Sequence, residues 1–156
     1  TIARRRWDIY REPFADRAEF DSYIQATTTL PMQVAATLLG AGAAAPINDI
    51  GYASGVANWL VATAELAARG RIPLLDGRPE AVQALATNAL ERLSRARSRR
   101  ADLPPKARPA VLAAWQAGPL LRLAQAHPDR VADGSLHLPP LRNRARLAWL
   151  AATGRW

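Results

Sequence analysis

A chain of 156 residues, 49% of them apolar, has the size and composition of one globular domain, which excludes a disordered polymer. Its net charge of +8 rests on twenty arginines and the single lysine Lys106, an excess that suits nucleic acid, an anionic lipid surface or an acidic protein and that a GC-rich genome also produces without selection for binding. The absence of cysteine excludes a disulfide framework, a thiolate zinc site and a cysteine nucleophile.

The opening residues TIARRRWDIYREPF have no apolar core of signal-peptide length, and the most apolar run, Val34 to Ile47, is short and broken by Gly40, Gly42 and Pro46. This predicts a cytoplasmic chain without a membrane span, folded as one helical domain over 1–156. Pro13 ends a first arginine-rich turn or helix, and Asp16 caps a second that runs toward Gly40 with a kink at Pro31. A third helix runs from about Asp49 to Arg69 and stops at Gly70, before Pro73. Pro79 and Glu80 open a fourth, where Val82, Leu85, Ala89, Leu93 and Ala96 recur as a buried stripe. A fifth extends from about Pro105 to Ala126 with a bend at Pro119, HPDRVADGSLHLPP is a loop, and the last helix spans Leu141 to Ala152. No segment alternates with period two, so the fold is all-α.

Two carboxylates one helical turn apart can share a divalent ion. Asp8 with Glu12, Asp16 with Asp21, and Asp129 with Asp133 approach that spacing, and none sits in a long apolar helix. His127 and His137 stand in no metal-binding motif, no serine stands in GxSxG or SxxK, and the GAG at Gly40 lacks the rest of a dinucleotide fingerprint. No catalytic residue and no metal ligand is assigned. The RARSRR cluster, Arg95 to Arg100, matches the dipole of a helix C-terminus, and without interleaved aromatics it disfavours a nucleic-acid partner. At the C-terminus Arg142, Arg144 and Arg146 mix with Leu147, Trp149, Leu150 and Trp156. Of these, Arg142, Arg144, Arg146, Trp149 and Trp156 are candidate contacts to a membrane surface or protein partner.

The middle of the chain resembles the squalene and phytoene synthase family, whose second signature runs roughly G-x-A-x-Q-L-x-N-x-L-R-D-x-x-x-D followed by G-R-x-Y-L-P. Gly51, Ala53, Asn58, Leu60, Gly70, Arg71 and Leu74 stand in register with it. Asp8, Pro13, Phe14, Tyr23 and Ala26 resemble the approach to the family's Y-x-x-x-A-G-x-V-G helix, although TTTLP replaces its small-residue turn, and the closing TGRW resembles shorter bacterial members. The departures fall on the chemistry. Ala62 and Leu66 occupy the aspartate positions, Val61 the arginine, Gly55 the glutamine, Pro73 the tyrosine and Leu75 the final proline. Glu65 stands one place short of the second acid, with apolar Val61 at i−4.

The resemblance implies an isoprenoid-synthase-like helical bundle lacking its N-terminal helices, since the family's first aspartate motif lies upstream of anything matched here. Such a gap predicts bare apolar surface on the Asp49 to Arg69 helix. It further implies a degenerate, non-catalytic member without a cofactor, serving as a binding, scaffold or assembly factor near a membrane, because one branch of the family includes a mitochondrial assembly factor for respiratory complex I. The expected partners are a protein or complex and an anionic membrane surface, at a site peripheral to the inner membrane. The alternative is a head-to-head prenyl transferase whose missing N-terminal region carries the magnesium site.

Overall fold

A computed structural model of the chain describes residues 13–42, 45–153 and 156. Helix α1 (Arg17–Ile24) opens where Asp16, in an extended conformation, accepts the Glu19 N–H at 2.8 Å, and the Glu19 carboxylate in turn accepts the Ala15 N–H at 2.7 Å. Two otherwise orphaned donors are satisfied at the start of the helix. The chain then widens into a π-helical turn over Gln25–Thr29 before it continues as α2 (Leu30–Leu38). Leu30 N–H reaches back five residues to the Gln25 carbonyl. Pro31, which has no N–H to give, follows directly; the expected kink is therefore a local widening of the helix one turn upstream of the proline.

Gly40 ends α2 with φ of 85°, and the Gly40 and Ala41 N–H groups close on the Thr37 and Ala36 carbonyls, both at 2.9 Å. This is the Schellman pattern of a left-handed glycine. Helix α3 (Ala45–Ala68) ends in the same way, with Gly70 at φ 75° and the Gly70 and Arg71 N–H groups on the Ala67 and Leu66 carbonyls. It begins earlier than its apolar pattern predicts, because Pro46 is well suited to a first turn.

The centre of the molecule is α3. Ile50, Ala53, Val56, Ala57 and Leu60 are all buried, and so are Gly51, Tyr52, Ser54 and Gly55 between them. A helical segment buried over two consecutive turns, as Ile50 to Ala57 is, must be surrounded. Helices α1 and α2 and the π turn cover one side, and α4 (Pro79–Ser98) packs antiparallel on another, with Arg95 near its end 3.5 Å from Asp49 near the start of α3. The stripe Val82, Leu85, Ala89, Leu93 and Ala96 of α4 is buried.

Two short 3₁₀ turns, Arg100–Asp102 and Pro105–Ala107, lead into α5 (Arg108–Leu112), and α6 (Ala117–Ala126) returns along α4. One helix was predicted from Pro105 to Ala126. The chain instead breaks it, placing Pro109 and Pro119 in the first turns of separate helices, where a missing N–H costs nothing. The following loop holds a single helical turn, α7 (Asp129–Ala132), and α8 (Pro140–Thr153) closes the fold against α5. The arginine-rich segment before Pro13 lies outside the described residues, which contain no strand.

Packing beneath α1 is aromatic. Phe14, Tyr23 and Trp59 meet at ring-centroid distances of 5.2–5.6 Å, and the Trp59 indole N–H donates to the Pro73 carbonyl at 2.9 Å. That bond ties the loop after α3 back onto the core.

Candidate functional site

Two glycines set how closely α3 can approach the π turn. A Cβ on Gly51 would stand 2.7 Å from the Thr29 Cα, and one on Gly55 would stand 2.6 Å from the Ile24 Cγ2. The two lie four residues apart on one face of α3, where Gly51 meets the Thr29 backbone and Gly55 makes room for the Ile24 and Thr28 side chains. Of the residues matched to the synthase signature, Ala53 and Leu60 are fully buried and Gly70 forms the helix stop. Asn58 is exposed, and the half-buried Arg71 lines a shallow cleft of about 330 Å³ beside Pro73, Val82 and Val131. Gly55 escaped the motif reading, since it replaces a family glutamine; its spacing of four from Gly51 was the available signal.

The acid positions of the signature cannot hold a magnesium-bound diphosphate. Ala62 and Leu66 offer no oxygen, and Leu66 packs on the core. Glu65 points outward, with two-thirds of its side chain exposed, and pairs with Arg69 one turn on. The other acid pairs have local duties. Asp16 caps α1, and Asp133 accepts the Ser135 N–H at 2.8 Å; hydrogen bonding from the Ser135 side chain, then from its backbone, holds the Asp133 carboxyl below the usual range. Asp8 and Glu12 lie outside the described residues. No group of three or more His, Asp or Glu side chains that could hold a metal occurs among the described residues.

Asp21 belongs to a polar cluster on the α1–α3 seam. The buried Tyr52 hydroxyl donates to Asp21 at 2.8 Å and accepts from Arg17 at 2.7 Å, while Arg17 also donates to Asp21 at 2.9 Å. The Arg92 guanidinium lies over the Tyr52 ring, 3.8 Å from its centroid. Burial, then the bond to Asp21, pushes the Tyr52 hydroxyl up. Burial works against the Arg17 charge, but its bonds to Asp21 and Tyr52 together outweigh that and raise its pKa. Every hydroxyl and guanidinium in this cluster is occupied with a neighbour, which marks it as a lock between helices.

Exposed apolar surface lies elsewhere than predicted. The bare stripe was expected on the third helix, yet on α3 only Val61 among the large apolar residues is more than a third exposed. The surrounding elements leave it no room. The stripe lies instead on α2, where Leu30, Val34 and Leu38 follow at i, i+4 and i+8 with exposures of 41%, 59% and 82%.

A second stripe runs along α8, through Leu141, Ala145, Ala148, Trp149 and Ala152, all exposed. Arg144 flanks it in solvent, Arg146 is half-buried, and the Arg142 side chain lies outside the described residues. Leu150 faces inward, at 3% exposed. Trp156, expected at a contact surface, is buried at 5% exposure; its backbone oxygen accepts from Arg100 at 2.8 Å and from Arg97 at 3.3 Å, and the Arg100 guanidinium stands 5.1 Å from its ring. The RARSRR arginines are thus partly spent inside the molecule. No helix among the described residues is long and apolar enough to cross a membrane. No protein-family model, no curated protein and no solved structure matches this chain.

Proposed function

We propose that the chain is a degenerate, non-catalytic relative of the squalene and phytoene synthases that acts as a scaffold or assembly factor beside a membrane. The apolar stripe Leu30, Val34, Leu38 carries this reading. A contiguous exposed apolar row marks a surface that another macromolecule covers. The closeness of Gly51 and Gly55 to the π turn supports the retention of helix packing, while Ala62 and Leu66 stand where the family's chemistry needs oxygens.

The membrane side of the proposal draws on α8. A row of Leu141, Ala145, Ala148 and Trp149 beside Arg144 is the amphipathic arrangement of a helix lying in a lipid interface. A protein partner then docks on α2 and lipid on α8.

A photoreactive residue at Val34, introduced in producing cells, tests the scaffold reading. A discrete adduct with one protein, absent from a control at exposed Ser94 and lost when Leu30 and Leu38 are changed to Glu, is the expected result. No adduct above the Ser94 control overturns it. Consumption of farnesyl or geranylgeranyl diphosphate with magnesium would establish the prenyl transferase instead.

A further inference from the structure

Between α6, the loop after it and the start of α8 lies a cleft of about 680 Å³. Arg122, Arg130 and Arg146 line it together with His127, His137 and Asn143, and Pro119, Leu123, Leu138, Pro139 and Pro140 supply apolar walls. No carboxylate is among its lining residues that the structure describes. Arg122 is in none of the ion pairs among the described residues. Asp133, outside the lining, senses Arg130 and His137 only weakly beside its bond to Ser135.

Positive charge is concentrated here. Behind the cleft, burial and then the charges of Arg122, Arg146 and Arg100 push the Arg97 guanidinium down. The N-terminal end of α8 opens at Pro140 on the rim, with no acidic residue in its first turn, and adds a partial positive charge. Like charges gathered around a space of ligand size are stabilised by an anion that enters it.

We infer that this cleft binds a phosphate ester. Guanidinium forks from two helices and the intervening loop match tetrahedral phosphate oxygens, which accept paired N–H donors. The proline and leucine walls accommodate the organic part of the ester, so inorganic phosphate alone binds more weakly. The phosphate arrives either on a free small molecule or on a lipid headgroup. The inference goes beyond the scaffold proposal and does not require it, because the cleft lies apart from the α2 stripe.

The test is titration calorimetry of the whole chain with phenyl phosphate and with inorganic phosphate, beside flotation with phosphatidylcholine vesicles with and without phosphatidic acid. Saturable binding of phenyl phosphate, weakened at least tenfold by Arg122→Ala with Arg146→Ala and unchanged by Arg78→Ser at an exposed arginine outside the cleft, is the expected result for a free ester. Flotation specific to phosphatidic acid with the same variant pattern assigns the lipid source. Circular dichroism melts check folding, and Arg130→Gln gives an independent variant that lies away from α6 and α8. The inference is overturned if neither probe binds, if Arg78→Ser weakens binding as much as the cleft variants, or if polyglutamate binds while phenyl phosphate does not.

Discussion

Gly51 and Thr29 are in backbone contact: a methyl group on the glycine would fall 2.7 Å from the threonine Cα. Real Cβ contacts do not come so close, and the obstacle is main chain that cannot rotate away. Gly51→Ala should therefore force α3 off the π turn, costing about 1–3 kcal/mol from overpacking, of which alanine's better helix propensity returns at most ~1 kcal/mol. Gly42→Ala meets nothing within 4 Å and serves as the neutral control. Urea melts of the two variants check this; a Gly51→Ala protein as stable as the parent would mean the helices are not in contact.

Tyr52 makes stability fall in alkali. Its hydroxyl is raised above the ordinary value of 10 by burial and by donation to Asp21. The folded state therefore holds that proton more tightly than the unfolded chain, so its contribution is complete below pH ~10 and disappears as pH rises through the folded value. Tyr52→Phe should cost about 1–2 kcal/mol at neutral pH through the lost bonds to Asp21 and Arg17. Its melting point should then fall less steeply above pH ~10 than the parent's. Equal slopes in the two proteins would refute the assignment.

Leu150 and Trp149 are neighbours in sequence with opposite duties. Leu150 is 3% exposed, so Leu150→Ala should cost about 2–5 kcal/mol. Trp149 is 50% exposed and should be dispensable for folding. If α8 lies on anionic vesicles, Trp149→Ala weakens binding with the melting temperature unchanged, and Arg144→Ser removes on the order of 1 kcal/mol that high salt also removes. Sedimentation at two salt concentrations beside thermal melts separates these effects.

Glu65 should be expendable. Its pair with Arg69 is solvated on both sides, and such i, i+4 pairs contribute about 0.3–0.5 kcal/mol. Glu65→Gln should lower stability by no more than that, and farnesyl and geranylgeranyl diphosphates with magnesium should stay intact in parent and variant alike. Turnover in the parent that the substitution abolishes would assign Glu65 to chemistry after all.

Local chemistry made the helices readable. Asp16 as a cap, Gly70 as a stop and Pro79 as a start are signals that act within one turn, and the spacing of Val82, Leu85, Ala89, Leu93 and Ala96 follows directly from helical period. Burial that depends on distant neighbours was harder to read. Trp156 has the composition of an interfacial residue, yet Arg97 and Arg100, some sixty residues earlier, fold it inward. The cleft beside His127 and His137 joins Arg122 to Arg146 across a loop, and no sequence spacing announces that encounter. Ala and Leu on α3 look like one face of an amphipathic helix until the partners on its other sides are known.

The widened turn at Gln25–Thr29 bears on how this helix tolerates changes of length. Phe20 and Ile24 are buried before it, Met32 and Ala36 after it. At about 100° per residue an uninterrupted α-helix would carry Met32 and Ala36 about 120° and 160° round from Phe20; with one residue fewer they return to about 20° and 60°, beside Ile24 at about 40°. The wide turn thus absorbs one surplus residue and keeps both halves facing α3. It has the form of a single-codon insertion accommodated without re-registering the rest of the chain, and excising Thr27 should straighten the helix while leaving Met32 and Ala36 on the face they already occupy.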